Sequence, residues 1–338
     1  MAAGRILVRW QPAPVERFAD LHPALVVQME RQGGVFTAAQ ARAVGHTESQ
    51  LQALRRRKIL VSVRRGVYAW SAVYVTADPQ TQHRIDCAAV RLTLEAPAVL
   101  SHQSAGVIHG LEMLDADLST VHVTRGDTSG ARQEAGVHHH VAEIPDEHLL
   151  ERTDALDVTT VARTAVDIAR STDRYECAVA AFDSALRLGV PLSELRAVVD
   201  RCRSWPGARF LSTALDFADG RAANPGESWS RVVLAQQGVA PDDLQVAVYD
   251  ADGLIGYVDF GWKGVVGEFD GRYKYGLSAG GSAGVSDALW AEKKREDRLR
   301  AQREVVRWTV ADLHEPGRLA ARVLAAMARA VARRNFSS

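Results

Sequence analysis

Acidic residues stand at unusual positions in the C-terminal part of the chain, inside segments that otherwise have the pattern of β-strands. Asp259 lies in the apolar run Tyr-Val-Asp-Phe, and Glu268 and Asp270 flank a phenylalanine in the next such run. Acids are depleted from strands, and acids on adjacent strands repel one another unless a cation neutralises them. Residues two apart share a face, so Glu268 and Asp270 are predicted to project towards Asp259, with Glu227 joining from a helix. The pattern predicts a Mg²⁺ or Mn²⁺ site for phosphodiester hydrolysis.

Basic side chains concentrate at the opposite end of the chain. The 338 residues contain 41 Lys or Arg and 41 Asp or Glu, yet residues 1–75 contain eleven basic residues and only four acidic ones. That segment carries +7 and the remainder −7, as expected of a small nucleic-acid-binding module attached to an acidic body. Surface solubility alone is the competing explanation, and a uniformly basic nucleic-acid coat is excluded.

The elements that carry these basic residues follow from the spacing of apolar residues and from helix caps. The sequence predicts a helix over 21–33, a second helix opened by Thr37 and a third, arginine-rich helix opened by Thr47 or a neighbouring residue. A short hairpin is predicted around Arg65 and Gly66. This order is typical of a winged helix-turn-helix, in which the third helix enters the DNA major groove. A small helical bundle with a solvated arginine run is the alternative.

The string GGVFTAAQARAVGHTESQLQALRRRKILVSVRRGVYAW resembles the N-terminal domain of AbiEi-type antitoxins and related transcriptional regulators, over about residues 22–75. The order G-x-x-T, then a leucine-spaced arginine helix, then R-R-G-V-Y carries the resemblance. It implies binding of double-stranded operator DNA, often that of the protein's own operon, and a cognate toxin as partner. The DNA contacts that it implies are Gln50, Arg55, Arg56, Arg57, Arg64 and Arg65.

Residues 76–220 are predicted to form an α/β middle domain. Strands are indicated at STVHVTRG and GVHHHVAEI, and helices at VARTAVDIARS, at 175–188 and from Pro191 onwards. In a strand, His138 and His140 point to one face and His139 to the other. No Cys, Asp or Glu partner stands at recognised ligand spacing, so the sequence does not favour a metal role for these histidines.

A second set of polar residues in this domain, Ser101 with His102 and His109, resembles a nucleophile and its base. No G-x-S-x-G elbow surrounds the serine, so a helix cap is favoured over catalysis.

The C-terminal domain, residues 221–338, is predicted to contain a helix opened by Glu227, three strands, a charged helix over 290–303 and a last strand. The order and the acids resemble the PD-(D/E)xK nuclease superfamily, most closely its branch related to very-short-patch-repair endonucleases, over about residues 222–315. The residues that match are Glu227 in E-S-W, Asp259 in Y-V-D-F, Glu268 and Asp270 in G-E-F-D-G, and Asp297 in K-K-R-E-D-R-L-R. The resemblance implies a restriction-endonuclease-like core with Glu227, Asp259, Glu268 and Asp270 as catalytic residues.

One departure from the nuclease pattern concerns its lysine. Asp270 fills the lysine position two residues after the acid, so the water-orienting cation must come from elsewhere, with Lys274, Lys293 and Lys294 as candidates. Lys293 and Lys294 are also candidates for contacts with the phosphate backbone, against the alternative of a solvated helix face. Two functions follow: a Mg²⁺-dependent endodeoxyribonuclease, or a non-catalytic, AbiEi-like type IV antitoxin and transcriptional autorepressor. An acidic turn without any metal is the third possibility.

The whole sequence therefore predicts an α+β or α/β protein of several domains. It contains no apolar run of about 18 residues, and its first residues lack the pattern of a secretory signal, so we expect a cytoplasmic protein with no membrane partner. Cys87, Cys177 and Cys202 are far apart and odd in number, which predicts buried thiols in a reducing compartment.

Overall fold

The computed structural model describes residues 20–94, 98–126, 130–150, 157–271 and 285–336. Contacts divide the chain into two compact units, the first formed by Met1–Leu111 with Ala116–Ile168 and the second by Glu112–Asp115 with Ala169–Ser338. The division after Ile168 falls inside the predicted middle domain, and the predicted boundaries at residues 75 and 220 stay predictions. The helices and mixed sheets give an α+β fold of more than one domain, as predicted.

The first unit begins with short helices and a three-stranded antiparallel sheet of order β1-β3-β2. Its elements are α1 (Pro23–Arg31), β1 (Val35–Thr37), α2 (Ala38–Ala43), α3 (Glu48–Arg56), β2 (Leu60–Arg64), β3 (Val67–Trp70) and α4 (Ser71–Tyr74). Thr37 and Thr47 open α2 and α3 as predicted, each in a capping box with a glutamine three residues on, and a cap contributes about 1 kcal/mol. The predicted hairpin is confirmed, whereas β1 was not predicted.

The rest of the first unit surrounds a six-stranded mixed sheet of order β6-β7-β5-β4-β9-β8. Its elements are α5 (Pro79–Arg91), β4 (Val99–Leu100), α6 (His102–His109), β5 (Val121–Arg125), β6 (Arg132–Glu134), β7 (Val137–Val141), β8 (Leu149–Leu150), β9 (Val158–Thr159) and all but the last two residues of α7 (Val161–Arg170). The two predicted strands correspond to β5 and β7, which are parallel neighbours. Cys87, Val90, Leu100 and Val123 belong to the apolar core between α5 and this sheet.

The second unit contains helices on both faces of a four-stranded sheet of order β10-β11-β12-β13. Its elements are α8 (Tyr175–Arg187), α9 (Leu192–Cys202), α10 (Leu211–Phe217), α11 (Pro225–Gln236), β10 (Asp243–Asp250), β11 (Gly253–Trp262), β12 (Val265–Asp270), α12 (Val285–Gln302), β13 (Glu304–Thr309), α13 (Val310–Leu313) and α14 (Pro316–Phe336). The first three strands are antiparallel, and β13 pairs with β12 in parallel. The predicted order of one helix, three strands, a helix and a strand is confirmed, while the long helix α14 was not predicted.

The packing of α11 fixes the N-terminal end of that helix against the sheet. Trp308 of β13 is buried and donates its indole N–H to the hydroxyl of Ser230 over 2.8 Å. At Gly226 a Cβ would lie only 2.0 Å from the ring of Phe269, so only glycine permits this approach. Arg231 of α11 also forms a buried ion pair of 2.8 Å with Asp183 of the neighbouring helix α8. Loss of either charged partner would cost about 3–5 kcal/mol.

The predictions about thiols and membranes have different outcomes. Cys87 and Cys202 are buried thiols as predicted, whereas Cys177 is only half-buried. No helix in the described parts of the chain combines the length and the apolarity that crossing a membrane requires.

Candidate functional site

The three acids predicted to bind metal line one pocket of about 370 Å³ in the second unit, which we call the acidic pocket. Its lining residues are Tyr257, Asp259, Glu268, Phe269, Asp270, Gly271, Arg295 and Arg307. The pocket lies where β11 and β12 run side by side, and α12 and β13 supply its two arginines.

The register between the strands explains how the acids meet. Phe260 of β11 lies opposite Gly267 of β12, which puts Asp259 level with Glu268. One carboxylate oxygen of Asp259, Oδ2, accepts the backbone N–H of Phe269 over 2.7 Å. Burial raises the pKa of Asp259, and the charge of Glu268 raises it further. The carboxylates therefore interact across the two strands as the alternation of residues predicts.

Glu268 is held by two arginines. Its Oε1 accepts from Arg295 over 2.7 Å, and its Oε2 accepts from Arg307 over 2.8 Å at Nε and 2.7 Å at Nη2. Arg307 lies directly beside Glu268 because β12 and β13 pair in parallel register. Guanidinium groups thus supply part of the positive charge that the strand-borne acids require.

Glu227 lies next to the acidic pocket, in the first turn of α11. It is buried, and its carboxylate accepts from the N–H of Ala223 over 2.7 Å, from the side-chain amide of Asn224 over 2.6 Å and from that of Gln245 over 3.0 Å. Burial, and next the charge of Asp259, raise the pKa of Glu227 to about 7. The proton of Glu227 is therefore exchanged near neutral pH, in the electrostatic field of Asp259.

The donor set of the acidic pocket fits a hard divalent cation. Asp259, Glu268 and Asp270 offer carboxylate oxygens, which Mg²⁺ and Mn²⁺ prefer. A cation that used Glu268 would compete with the two guanidinium groups bound to it.

The lysines that the sequence offered as cations occupy other places. Lys293 and Lys294 are exposed on α12 and do not belong to the lining of the acidic pocket, and Lys274 falls outside the described residues. The basic residues that line the pocket, Arg295 and Arg307, were not predicted. Arg307 is a neighbour of Glu268 because β12 pairs with β13, and α12 separates these two strands in the chain. Local sequence patterns do not reveal such a pairing.

The predicted DNA contacts in the first unit fall into two groups. Arg55, Arg56 and Arg65 are exposed, and the first two line a shallow groove of about 520 Å³ between α3 and β2. Arg55 also lies over the ring of Tyr68, 6.0 Å from its centre. Arg55, Arg56 and Lys58 form what we call the basic groove.

The second group of predicted contacts is engaged inside the unit. Gln50 accepts the N–H of Thr47 in the cap of α3, and exposed Arg57 pairs with Asp20 at 3.3 Å. Arg64 turns inward: its Nε donates to the hydroxyl of Thr93 over 3.2 Å, and Nη1 donates to the carbonyl of Ala135 over 2.8 Å. Burial lowers the pKa of Arg64. Arg64 thus anchors the hairpin to the six-stranded sheet.

A third set of ligating side chains was missed because its members come from distant segments. His138 and His140 share a face of β7, as the strand prediction required, and their rings stack at 4.1 Å between centres. On that face His140 meets His102 of α6 and His122 of β5. Burial lowers the pKa of His140 to about 2 and that of His122 to about 4, so both rings are neutral at pH 7.

Ser101 and His109 have structural roles. Ser101 precedes α6 as predicted, yet its hydroxyl makes no capping hydrogen bond and instead accepts from Thr124 over 2.7 Å. Nε2 of His109, the last residue of α6, lies 2.6 Å from the carbonyl oxygen of Thr159. The structure therefore brings Ser101 to the strand β5 and His109 to the strand β9.

Comparison with other proteins identifies relatives in Mycobacterium tuberculosis. No protein-family model matches the chain. The proteins named Uncharacterized protein MT2308, from strain CDC 1551 / Oshkosh, and Uncharacterized protein Rv2248, from strain H37Rv, are each 29% identical over 290 residues, which covers 80% of this chain and 96% of theirs. The crystal structure of the RV2827C protein from the same species is similar with a TM-score of 0.38 and 15% identity, covering 66% of this chain and 89% of that one.

Proposed function

We propose that the chain is a DNA-binding protein whose acidic pocket hydrolyses DNA phosphodiesters with Mg²⁺ or Mn²⁺. The observation that carries this proposal is the meeting of Asp259, Glu268 and Asp270 in one pocket with two arginines. The order of α11, three antiparallel strands, α12 and a parallel fourth strand resembles a restriction-endonuclease-like core and supports it.

The residues of the acidic pocket have separable roles in this proposal. Asp259, Glu268 and Asp270 hold the divalent cation, which when bound activates water and neutralises charge on the phosphate. Arg295 and Arg307 occupy the place of the missing lysine, and a guanidinium binds phosphate oxygens well. Glu227 holds a proton that it can release near pH 7. Hydrolysis adds one water across a P–O bond, leaving one strand end with phosphate and the other with hydroxyl.

The N-terminal part of the first unit serves as the DNA-binding element, a winged helix-turn-helix in this proposal. Arg55 and Arg56, which are exposed on α3, and Arg65, which is exposed in the turn of the hairpin, are the proposed DNA contacts. Arg64 positions the hairpin through Thr93 and Ala135 and does not contact DNA itself. Double-stranded DNA is the proposed partner.

A second function is favoured by the pairing of Glu268. Both of its carboxylate oxygens accept from arginines, and an aspartate stands at the lysine position of the nuclease pattern. These features suit a protein that keeps the fold without cleaving DNA, an AbiEi-like type IV antitoxin and transcriptional autorepressor. Its partners would be its own operon DNA and a cognate toxin.

A cleavage assay separates the two functions. Plasmid and single-stranded DNA are incubated with the full chain, with Mn²⁺ or with a chelator, beside the variants Asp259→Ala and Asp252→Ala. Asp252 is an exposed aspartate in the turn before β11 and serves as the matched control. We expect metal-dependent cleavage that falls at least ~100-fold in Asp259→Ala and persists in Asp252→Ala. DNA that is retarded but intact with every metal selects the autorepressor.

A binding assay tests the basic groove independently of cleavage. With a chelator present, the double variant Arg55→Ala with Arg56→Ala should bind duplex DNA at least ~10-fold more weakly. The plot of log affinity against log salt concentration should also become less steep, by the amount that corresponds to the loss of about two phosphate contacts. The matched control Arg203→Ala removes an exposed arginine of the second unit and should leave both quantities unchanged. Equal affinity and equal slope in the double variant would remove the basic groove from the proposal.

A further inference from the structure

The strands of the six-stranded sheet bring three histidines together. β5 and β7 are parallel neighbours in which Thr124 lies opposite His140, so His122 is two residues away on the same face. β4 pairs with β5 on its other side, and the next residue, Ser101, donates its N–H to the carbonyl of His122 over 3.1 Å. The chain then turns directly into α6, whose first residue is His102. Three segments separated in sequence thus deliver one imidazole each.

The ring nitrogens of these residues converge. His102, His122 and His140 each offer one ligand atom, and the three atoms lie within 4.8 Å of one another. Nδ1 of His122 and Nε2 of His140 are 2.9 Å apart, and the rings of His102 and His140 stack at 3.7 Å between centres. In a tetrahedral site with metal–nitrogen distances of about 2.0–2.1 Å, the nitrogens are about 3.3 Å apart. Shifts of about an ångström would therefore create such a site.

His102 is held in place by its surroundings. It is buried, and its backbone adopts a φ of +50°, a conformation that costs a residue other than glycine about 1 kcal/mol or more. Its Nδ1 lies 3.0 Å from the hydroxyl of Ser101, which in turn accepts from Thr124 over 2.7 Å. Hydrogen bonds to the second ring nitrogen orient a histidine that ligates metal through the first. The polar chain of Thr124 and Ser101 is suited to this task.

We propose that His102, His122 and His140, the histidine cluster, bind one transition-metal ion of the Zn²⁺ class. Imidazole nitrogen suits Zn²⁺, Co²⁺, Ni²⁺ and Cu²⁺, whereas Mg²⁺ and Ca²⁺ require oxygen. Three protein nitrogens leave the fourth position of a tetrahedral ion for water or an oxygen ligand. The site is distinct from the acidic pocket in its residues and in its metal class, so it stands or falls independently of the proposed nuclease function.

The experiment titrates the metal-free full chain with Zn²⁺ and with Co²⁺ by calorimetry and visible absorption. With excess Mg²⁺ present to occupy the acidic pocket, the wild type should still bind one Zn²⁺ or Co²⁺ ion per chain. Because substitution of a second-shell partner alone costs 10–100-fold, His122→Gln and His140→Gln should each lower the affinity at least ~100-fold. The controls are His138→Gln, a ring stacked on His140 but outside the cluster, and Asp259→Ala in the acidic pocket. Asp259→Ala should retain the wild-type affinity, and His138→Gln, which changes a ring beside a ligand but no ligand, should lose clearly less affinity than His122→Gln or His140→Gln.

Several results would overturn the proposal. These are wild-type protein that takes up no Zn²⁺ or Co²⁺, full affinity in His122→Gln and His140→Gln, or equal loss in His138→Gln. If the variants fail to fold, the spectrum of the wild type with Co²⁺ decides. The intense visible d–d bands of tetrahedral Co²⁺ without a near-ultraviolet thiolate charge-transfer band support histidine ligands, whereas a thiolate band assigns the ion to the cysteines and contradicts the proposal.

Discussion

The acidic pocket and the histidine cluster both gather side chains that ligate metals, yet they balance charge in different ways. In the acidic pocket, Arg295 and Arg307 donate to both oxygens of Glu268. In the histidine cluster the rings of His122 and His140 are neutral at pH 7 and contact each other through facing nitrogens. A cation that uses Glu268 must compete with a guanidinium, whereas one that joins His122 and His140 displaces at most a proton. The comparison shows that side-chain type alone does not measure how readily a site takes metal.

The two regions also differ in how pH should affect stability. Burial raises the pKa of Glu227 to about 7 from 4.5, so its ionisation costs the folded state free energy as pH rises through this window. Burial lowers the pKa values of His122 and His140 below 6.5. Their contribution to the unfolding free energy is therefore fully present above pH 6.5 and is lost as pH falls. Glu227, beside the acidic pocket, is therefore expected to oppose folding as pH rises, and the histidine cluster as pH falls.

The largest expected effect concerns the histidine cluster in acid. The unfolding free energy of the wild type should fall between pH 6.5 and 4.5, because the unfolded chain binds protons that the buried rings do not. In His140→Gln this loss should be smaller by ~1–2 kcal/mol, after allowance for solvent screening at a partly exposed ring. Urea unfolding of both proteins at the two pH values, in a chelator, measures the difference. Parallel losses would show that His140 is not kept neutral by its surroundings.

The next effect concerns the two adjacent acids of the second unit. Between pH 5 and pH 8 the wild type pays for ionising Glu227 beside the charge of Asp259. Asp259→Asn removes that charge, so the variant should lose less stability than the wild type over this interval, by about 1 kcal/mol. Urea unfolding at both pH values gives the comparison. An unchanged pH dependence would mean that the two carboxylates do not interact, and Glu227 would then no longer belong to the proposed site.

The smallest effect tests competition between arginine and metal. Arg307→Met removes one guanidinium from Glu268 and should tighten Mn²⁺ binding about threefold to tenfold, because less positive charge opposes the incoming cation. Arg318→Met, which removes an exposed arginine paired with Glu315, is the matched control and should leave the affinity unchanged. Weaker Mn²⁺ binding in Arg307→Met would indicate that this arginine supports the metal site.

Much of the local structure could be predicted because it depends on local signals. Thr37 and Thr47 open helices since a hydroxyl followed three residues later by glutamine satisfies two free N–H groups. The strand alternation in β12 placed Glu268 and Asp270 at the same pocket. Both inferences need only the nearest residues.

The remaining features depend on pairing between distant segments. Arg307 faces Glu268 through a parallel register of strands on either side of α12, and His102 meets His122 and His140 where three strands of one sheet adjoin. Arg64 belongs to an arginine-rich hairpin that predicts DNA contact, but its neighbours Thr93 and Ala135 lie far along the chain. Composition and spacing carry no information about such contacts.

The central claim is that the acidic pocket holds a divalent cation although arginines already neutralise part of its charge. Calorimetric titration of the full chain with Mn²⁺, at pH 8 and after removal of metals, tests it most directly. We predict binding of Mn²⁺ in the wild type and in His140→Gln, and its loss in Asp259→Ala. Absence of Mn²⁺ binding in the wild type, or undiminished binding in Asp259→Ala, would contradict the claim.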